Sequence, residues 1–289
     1  MTISVSSYSF QQYINAGKMT QFDCVAKAKE IGFDAIEFID LDGKTYEEQV
    51  EYAKKIRAEA DRVGIMINAY TISAHLFGGS EEADKAEVER LKRQLDIAKI
   101  LGAPLMRHDV CRTLGKSGKA RSFDLMLPTI AKNARAVTEY AETLGIRTCS
   151  ENHGIIAQDS DRVERLFNAV DHDNYGLLVD IGNFICVDEN PVLAVSRVAP
   201  YTIHAHVKDM MIRETPVGNC RNATRGCNYF CGTVVGEGDI PVKKCLSVLK
   251  KAGYSGCLSI EYEGSEDCIA GIKRGLANLK GILAELAWN

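Results

Sequence analysis

Residues 144–154 read Leu-Gly-Ile-Arg-Thr-Cys-Ser-Glu-Asn-His-Gly. An amphipathic helix runs into Gly145, a short strand occupies Arg147–Glu151, and the polar group Glu151-Asn152-His153-Gly154 follows at once. A glycine just past a helix accepts the left-handed backbone that ends it. The same order recurs at Ile31-Gly32 before Ala35–Ile39, at Val63-Gly64 before Ile65–Ile72, at Leu101-Gly102 before Leu105–Asp109 and at Ala252-Gly253 before Cys257–Glu261. Ile3–Ser9, Gly176–Asp180 and Thr202–Lys208 bring the predicted strands to eight, at the spacing of βα units. Most are continuous or mixed apolar runs, as in a parallel sheet buried on both faces.

The intervening helices carry their own signals. Val88, Leu91, Leu95, Ala98 and Leu101 recur at three- and four-residue steps and make one apolar stripe. Thr45-Tyr46-Glu47-Glu48 reads as a capping box. No Pro/Ser linker or change of composition divides the chain. The expectation is an α/β fold: a single (β/α)₈ barrel over residues 1–289, with an extended βα loop at about 210–238. An open doubly wound sheet is the alternative. It usually places a Gly-rich phosphate loop after its first strand, and Ser6-Ser7-Tyr8-Ser9 is no such loop.

Composition narrows the function. The 289 residues are 46% hydrophobic and 26% charged, with a net charge of −4. Nucleic-acid binding by bulk electrostatics needs a basic excess that this chain lacks. The first residues, MTISVSSYSF, lack the basic stretch and long apolar run of a signal peptide, and no run of about 18 apolar residues offers a membrane span. A cytoplasmic protein with ten reduced cysteines is expected. Cys220, Cys227 and Cys231 are spaced too widely for a Cys-x-x-Cys metal knuckle, and their role stays open.

In a barrel the chemistry gathers at the C-terminal ends of the strands. Reading those ends gives Glu37, His75, His108, Glu151 with His153, Asp180, His204 with His206 and Lys208, and Glu261. Glu151, Asp180, His206 and Glu261 come from four successive strands and would converge on one mouth. Buried carboxylates are normally paired or bound to metal. Three carboxylates and one imidazole suit Mn²⁺ or Mg²⁺ better than a thiolate-seeking ion. His204 shares a face with His206 and either joins the site or fills the lumen. His75, His108, Lys208 and Glu37 are candidate substrate contacts. Lys208-Asp209 reads equally as a salt bridge at the rim. Tyr8 and Phe10 read as core filling rather than as an apolar wall of the site.

The ordered set Glu151-Asn152-His153-Gly154, Asp180-Ile181-Gly182-Asn183, His206-Val207-Lys208-Asp209, Gly236-Glu237-Gly238-Asp239-Ile240 and Ser259-Ile260-Glu261 resembles the xylose-isomerase-like sugar isomerase/epimerase superfamily over nearly the whole chain. That superfamily includes 3-epimerases, inosose isomerases and dehydratases and, more distantly, endonuclease-IV-type enzymes. The resemblance implies a xylose isomerase-like TIM barrel whose divalent ion is held by Glu151, Asp180, His206 and Glu261. Mn²⁺ is the expected ion, with Mg²⁺ and Co²⁺ as alternatives. It also implies that Glu151 and Glu261 flank the substrate as proton-transfer groups.

The function expected is a sugar isomerase or epimerase working through an enediolate, with Glu151, Glu261 and His153 as catalytic candidates. Asn183 departs from the 3-epimerases, which usually carry a histidine there. The chain also resembles catalytic subunits of C-glycoside deglycosidases, carbon–carbon lyases that work with a small partner subunit and in which His153 would be the base. A homo-oligomer or such a partner is therefore expected. An endonuclease-IV-like nuclease and a non-catalytic sugar-binding barrel are the further alternatives.

Overall fold

The computed structural model of the chain describes residues 1–111, 113–115 and 118–288. Among them the strands are β1 (Ile3–Ser6), β2 (Ala35–Ile39), β3 (Met66–Ile72), β4 (Leu105–His108), β5 (Arg147–Glu151), β6 (Tyr175–Asp180), β7 (Thr202–Val207), β8 (Asp209–Arg213), β9 (Asn222–Ala223), β10 (Tyr229–Thr233) and β11 (Leu258–Ile260). Strands β1 to β7 and β11 close into a parallel barrel, with β11 between β7 and β1. The outer helices are α1 (Gln11–Asn15), α2 (Gln21–Ile31), α3 (Tyr46–Val63), α4 (Glu81–Leu101), α5 (Phe123–Leu144), α6 (Ser160–Val170), α7 (Pro191–Val198), α8 (Val242–Lys251) and α9 (Cys268–Glu285).

The local signals act as the residues dictate. Gly32, Gly64, Gly102 and Gly145 end α2 to α5 in left-handed conformation. Thr45 and Glu48 form the capping box of α3. The stripe Val88, Leu91, Leu95, Ala98 and Leu101 is buried along α4. One expected strand is shorter. The chain leaves β1 at Ser6, whose hydroxyl accepts from the Tyr8 amide, and turns through a 3₁₀ segment at Ser7–Phe10. Ser9 Oγ then donates to the Ile260 carbonyl and accepts from the Tyr262 amide, which curls this turn over the barrel end.

Strand alternation grades the lumen from apolar to polar. Ala69, Leu105, Cys149 and Leu178 form a small buried cluster separate from the main core. Two residues further along their strands, on the same face, stand Arg107, Glu151 and Asp180. The apolar layer thus fills the bottom of the barrel and raises the charged layer to its mouth.

The expected loop after β7 is ordered structure. Strands β8, β10 and β9 make an antiparallel sheet, and a disulfide joins Cys220 to Cys231, with Cα atoms 4.4 Å apart. This corrects the expectation of reduced thiols at those two positions. The strand pairing that brings them together is invisible in their spacing. Cys227 stands apart, exposed and free.

Lys208 and Asp209 do not form the salt bridge considered above. Lys208 turns to the carboxylates of the mouth. Asp209 accepts from four backbone amides, those of Met210, Gly236, Gly238 and Ile240. A Cβ on Gly238 would meet Asp209 Oδ1 at 2.2 Å, so only glycine lets the loop wrap the carboxylate this closely. Asp209→Ala would strip four amides of their acceptor at once. It is expected to cost about 3 kcal/mol of unfolding free energy, allowing for partial rescue by water. Urea denaturation checks this, and a loss under about 1 kcal/mol would mean that the amides find other acceptors.

Candidate metal centre at the barrel mouth

Glu151 ends β5, Asp180 ends β6, His206 lies in β7 and Glu261 follows β11 by one residue. All four are buried, and one donor atom from each lies within 4.8 Å of the others. His206 Nδ1 sits 3.7 Å from Glu151 Oε1, 3.8 Å from Asp180 Oδ2 and 3.7 Å from Glu261 Oε2. His206 Nδ1 and Asp180 Oδ2 are buried without a well-directed hydrogen bond. Buried polar atoms of this kind are normally satisfied. One divalent cation among the four donors would satisfy both, and the hard oxygen-rich set fits such an ion.

The electrostatics show how crowded the donors are. Burial pushes the Asp180 carboxyl up to about 6; Lys208 opposes this, and Glu151 and Glu261 add to it. Burial also raises Glu261, but Lys208, at 2.5 Å, and His206 outweigh it and hold that carboxyl well below the usual range. Glu151 is lowered because Arg107, with Nη2 2.7 Å from Oε2, overcomes its desolvation. Asn183 Nδ2 donates to the other oxygen of Glu151 at 3.0 Å. Asn152 fixes the end of β6 by a reciprocal pair of bonds to the Asp180 backbone.

Beneath the cluster lies an arrangement that the strand-end reading placed elsewhere. Glu37 is fully buried and is not among the residues that line the cavity above the cluster. Its Oε1 is 2.6 Å from His206 Nε2, and its Oε2 is 2.6 Å from His204 Nε2. The β2–β3 register shifts between Ile36 and Glu37, a distortion of the kind that re-aims a side chain. Carboxylate–imidazole pairing behind a metal ligand fixes the ring and its tautomer. Glu37 therefore stands where it can hold Nδ1 of His206 toward the cluster, and His204 supplies its second partner.

Above the donors opens a cavity of about 510 Å³, walled by Tyr8, Arg107, His153, Ile155, Lys208 and Glu263 among others. His153 Nδ1 is 2.8 Å from Asp109 Oδ1, and its side chain is 40% exposed. The second ring nitrogen has no protein partner among the described residues. Asp109 also takes Arg107 Nη1 at 3.0 Å. A larger hollow of about 790 Å³ opens between α4 and α5, but its lining contains none of the four donors.

Two expected substrate contacts fall outside this cavity. His75 is exposed on the loop after β3. His108 is buried, with Nδ1 3.1 Å from the Asp109 carbonyl and its ring beside Tyr175. Alternation along β4 is the reason: Arg107 and Asp109 share the inner face, and His108 points away. Tyr8, read as core filling, instead lines the cavity at 39% exposure, while Phe10 is fully buried.

Carboxylates and an imidazole from successive strands, gathered at the C-terminal mouth of a (β/α)₈ barrel, make a candidate divalent-cation centre beside an open cavity. The chain belongs to the xylose isomerase-like TIM barrel family, whose model matches residues 25–287. An inosose dehydratase of Clostridium botulinum (strain Alaska E43 / Type E3) is 27% identical over 139 residues, 46% of each chain. The chain thus spans about half the length of this curated relative. The rhizopine catabolism protein MocC of Rhizobium meliloti is 26% identical over 83% of this chain and 74% of its own. Among solved structures, the IOLI protein with a bound zinc atom superposes with a TM-score of 0.75 at 17% identity, covering 99% of both chains. No helix of the described residues is long and apolar enough to cross a membrane.

Proposed function

We propose that this chain is a divalent-metal-dependent carbohydrate enzyme that removes the proton beside a carbonyl of a cyclic polyol ketone or keto-sugar and eliminates water. The observation that carries this reading is the base: Asp109 holds Nδ1 of His153, and His153 lines the cavity together with Glu151 and Glu261. The inosose dehydratase and IOLI relatives support a hydro-lyase and a metal-binding barrel.

A two-carboxylate epimerisation fits these contacts less well. Epimerisation needs a proton donor and an acceptor on opposite faces of one carbon. Glu151 is engaged by Arg107 and Asn183, and Glu261 by Lys208, which makes each glutamate a poorer base than His153. Asn183 also stands where the epimerases usually carry histidine.

Glu151, Asp180, His206 and Glu261 would hold the ion, with Mn²⁺ as the first choice. Once bound, such an ion supplies Lewis-acid polarisation of the substrate carbonyl. His153 Nε2 takes the proton from the carbon beside that carbonyl, and the electron pair forms the enolate. Lys208, buried at the mouth, keeps positive charge beside the developing oxyanion. The enolate then expels the β-hydroxyl, which receives the proton held on His153 and leaves as water. Nothing is oxidised or reduced, and the imidazole returns to its starting state. One base serving both steps implies elimination on a single face.

The test is to load the purified chain with Mn²⁺ and supply an inosose, a free ketohexose and a 3-keto C-glycoside in parallel. The expected result is a conjugated enone, read by ultraviolet absorbance, from the inosose. Clean interconversion of ketose 3-epimers, or release of an aglycone without dehydration of the inosose, would overturn the dehydratase reading.

A further inference from the structure

The extension after β7 does more than border the mouth. Its tip, residues 223–228, lies on the loops after β5 and β6. The Arg225 amide donates to the Cys186 carbonyl at 2.8 Å. Asp188 accepts from Thr224 Oγ1, from the Gly226 amide and from Asn228 Nδ2, so one carboxylate grips the turn from three sides. The Arg225 side chain reaches further. Nη1 bonds Asp159 Oδ2 at 3.0 Å, and Nη2 bonds the Ile155 carbonyl.

Ile155 is an unusual place to be gripped. Its φ is +70°, a conformation that a β-branched residue rarely adopts. Its side chain is a cavity wall, and it sits two residues after His153. Such a conformation persists only where the surroundings over-determine it. On the barrel side, Gln158 Oε1 accepts from the Ile155 amide. On the outer side, Arg225 holds the carbonyl.

We infer that Arg225 is a positioning residue: it clamps the His153–Ala157 loop from the extension, so that the His153 imidazole and the Ile155 wall keep their places over the metal donors. The inference rests on the cavity being the active site, and it gives the extension a defined task. Cys220–Cys231 staples the extension midway along its hairpin, Asp188 seats its tip, and the guanidinium transmits that fixed frame to the loop bearing the base.

The test uses full-length protein loaded with Mn²⁺ and no substrate. In Arg225→Ala, amide hydrogen exchange at residues 153–157 is expected to speed up at least tenfold, with α5 unchanged and Mn²⁺ affinity within twofold. Arg213→Ala is the control: Arg213 lies in the same extension but bonds the Ile212 carbonyl and Asp239, so exchange at 153–157 should not move. Where wild type dehydrates an inosose, Arg225→Ala should lose at least tenfold in kcat with a much smaller change in KM. Arg225→Lys keeps the charge but cannot grip both acceptors, and carries the test if the alanine variant does not fold. Unchanged exchange at 153–157, or an equal rise in Arg213→Ala, overturns the clamp. Raised exchange in an enzyme whose wild type eliminates nothing leaves the clamp standing and sinks the proposed function instead.

Discussion

His206→Ala is expected to lose divalent-metal affinity by at least about a thousandfold, close to 4 kcal/mol, and with it all turnover. His206 is the one nitrogen donor of the four-residue group, and it is also the residue through which Glu37 reaches the site. Removing one partner of a buried ion pair usually costs about 3–5 kcal/mol of stability because a bare charge is left behind. Here Glu37 keeps His204 at 2.6 Å, so the barrel should stay folded by circular dichroism. Glu37→Gln should give a graded result. The ligand remains, but the carboxylate that fixes its ring is gone, and affinity should fall by about 10–100-fold.

Two overlapping groups can be drawn at this point, since Glu37, His204 and His206 also cluster. Asp180→Asn separates them: it weakens binding only if the ion sits among Glu151, Asp180, His206 and Glu261. Metal retained at wild-type affinity in both His206→Ala and Asp180→Asn, by calorimetry or competition with a chelating dye, would dismiss the centre.

What the sequence disclosed and what it hid divide along a physical line. Glu151, Asp180, His206 and Glu261 were legible because strand ends in a barrel converge, whatever lies between them in sequence. The apolar runs and helix-ending glycines counted the βα units for the same reason: each is a local signal repeated. Side-chain direction was harder. His108 ends β4 as a mouth residue would, yet period-two alternation with Asp109 selects Arg107 for the cavity. The pairing of Glu37 with His204 and His206 cannot be read from sequence, because the register shift at Ile36/Glu37 leaves no trace in composition. Ile3–Ser9 reads as one strand in the sequence, whereas the hydroxyl of Ser6 turns the chain three residues earlier and leaves Tyr8 on the cavity. The disulfide and the Arg225 clamp are products of non-local pairing in the extension, and spacing alone cannot show which strands meet.

His153→Asn should lower kcat for elimination by about a thousandfold, within the usual range for a lost general acid–base group, while Mn²⁺ affinity stays within threefold of wild type. The second half of that expectation makes the variant informative. Glu151 and Glu261 are each both candidate ligand and candidate base, so a dead Glu→Gln variant cannot say which role was lost. His153 touches Asp109 and the cavity but is not among the four donors. Its removal therefore separates chemistry from metal binding. Asp109→Asn offers a second reading. It leaves the imidazole in place but weakens its hold on the Nδ1 proton, so the ring is less ready to take a proton at Nε2. Turnover should fall, by less than in His153→Asn. Deuterium uptake distinguishes the step affected: in D₂O, wild type should exchange the substrate's α-hydrogen, and His153→Asn should stop exchange and dehydration together. If exchange continues at wild-type rate in His153→Asn while dehydration stops, the imidazole is the acid for the leaving hydroxyl and one of the glutamates takes the carbon-bound proton. If both continue, the Asp109–His153 pair has no part in the chemistry, and the case for a single-base elimination goes with it.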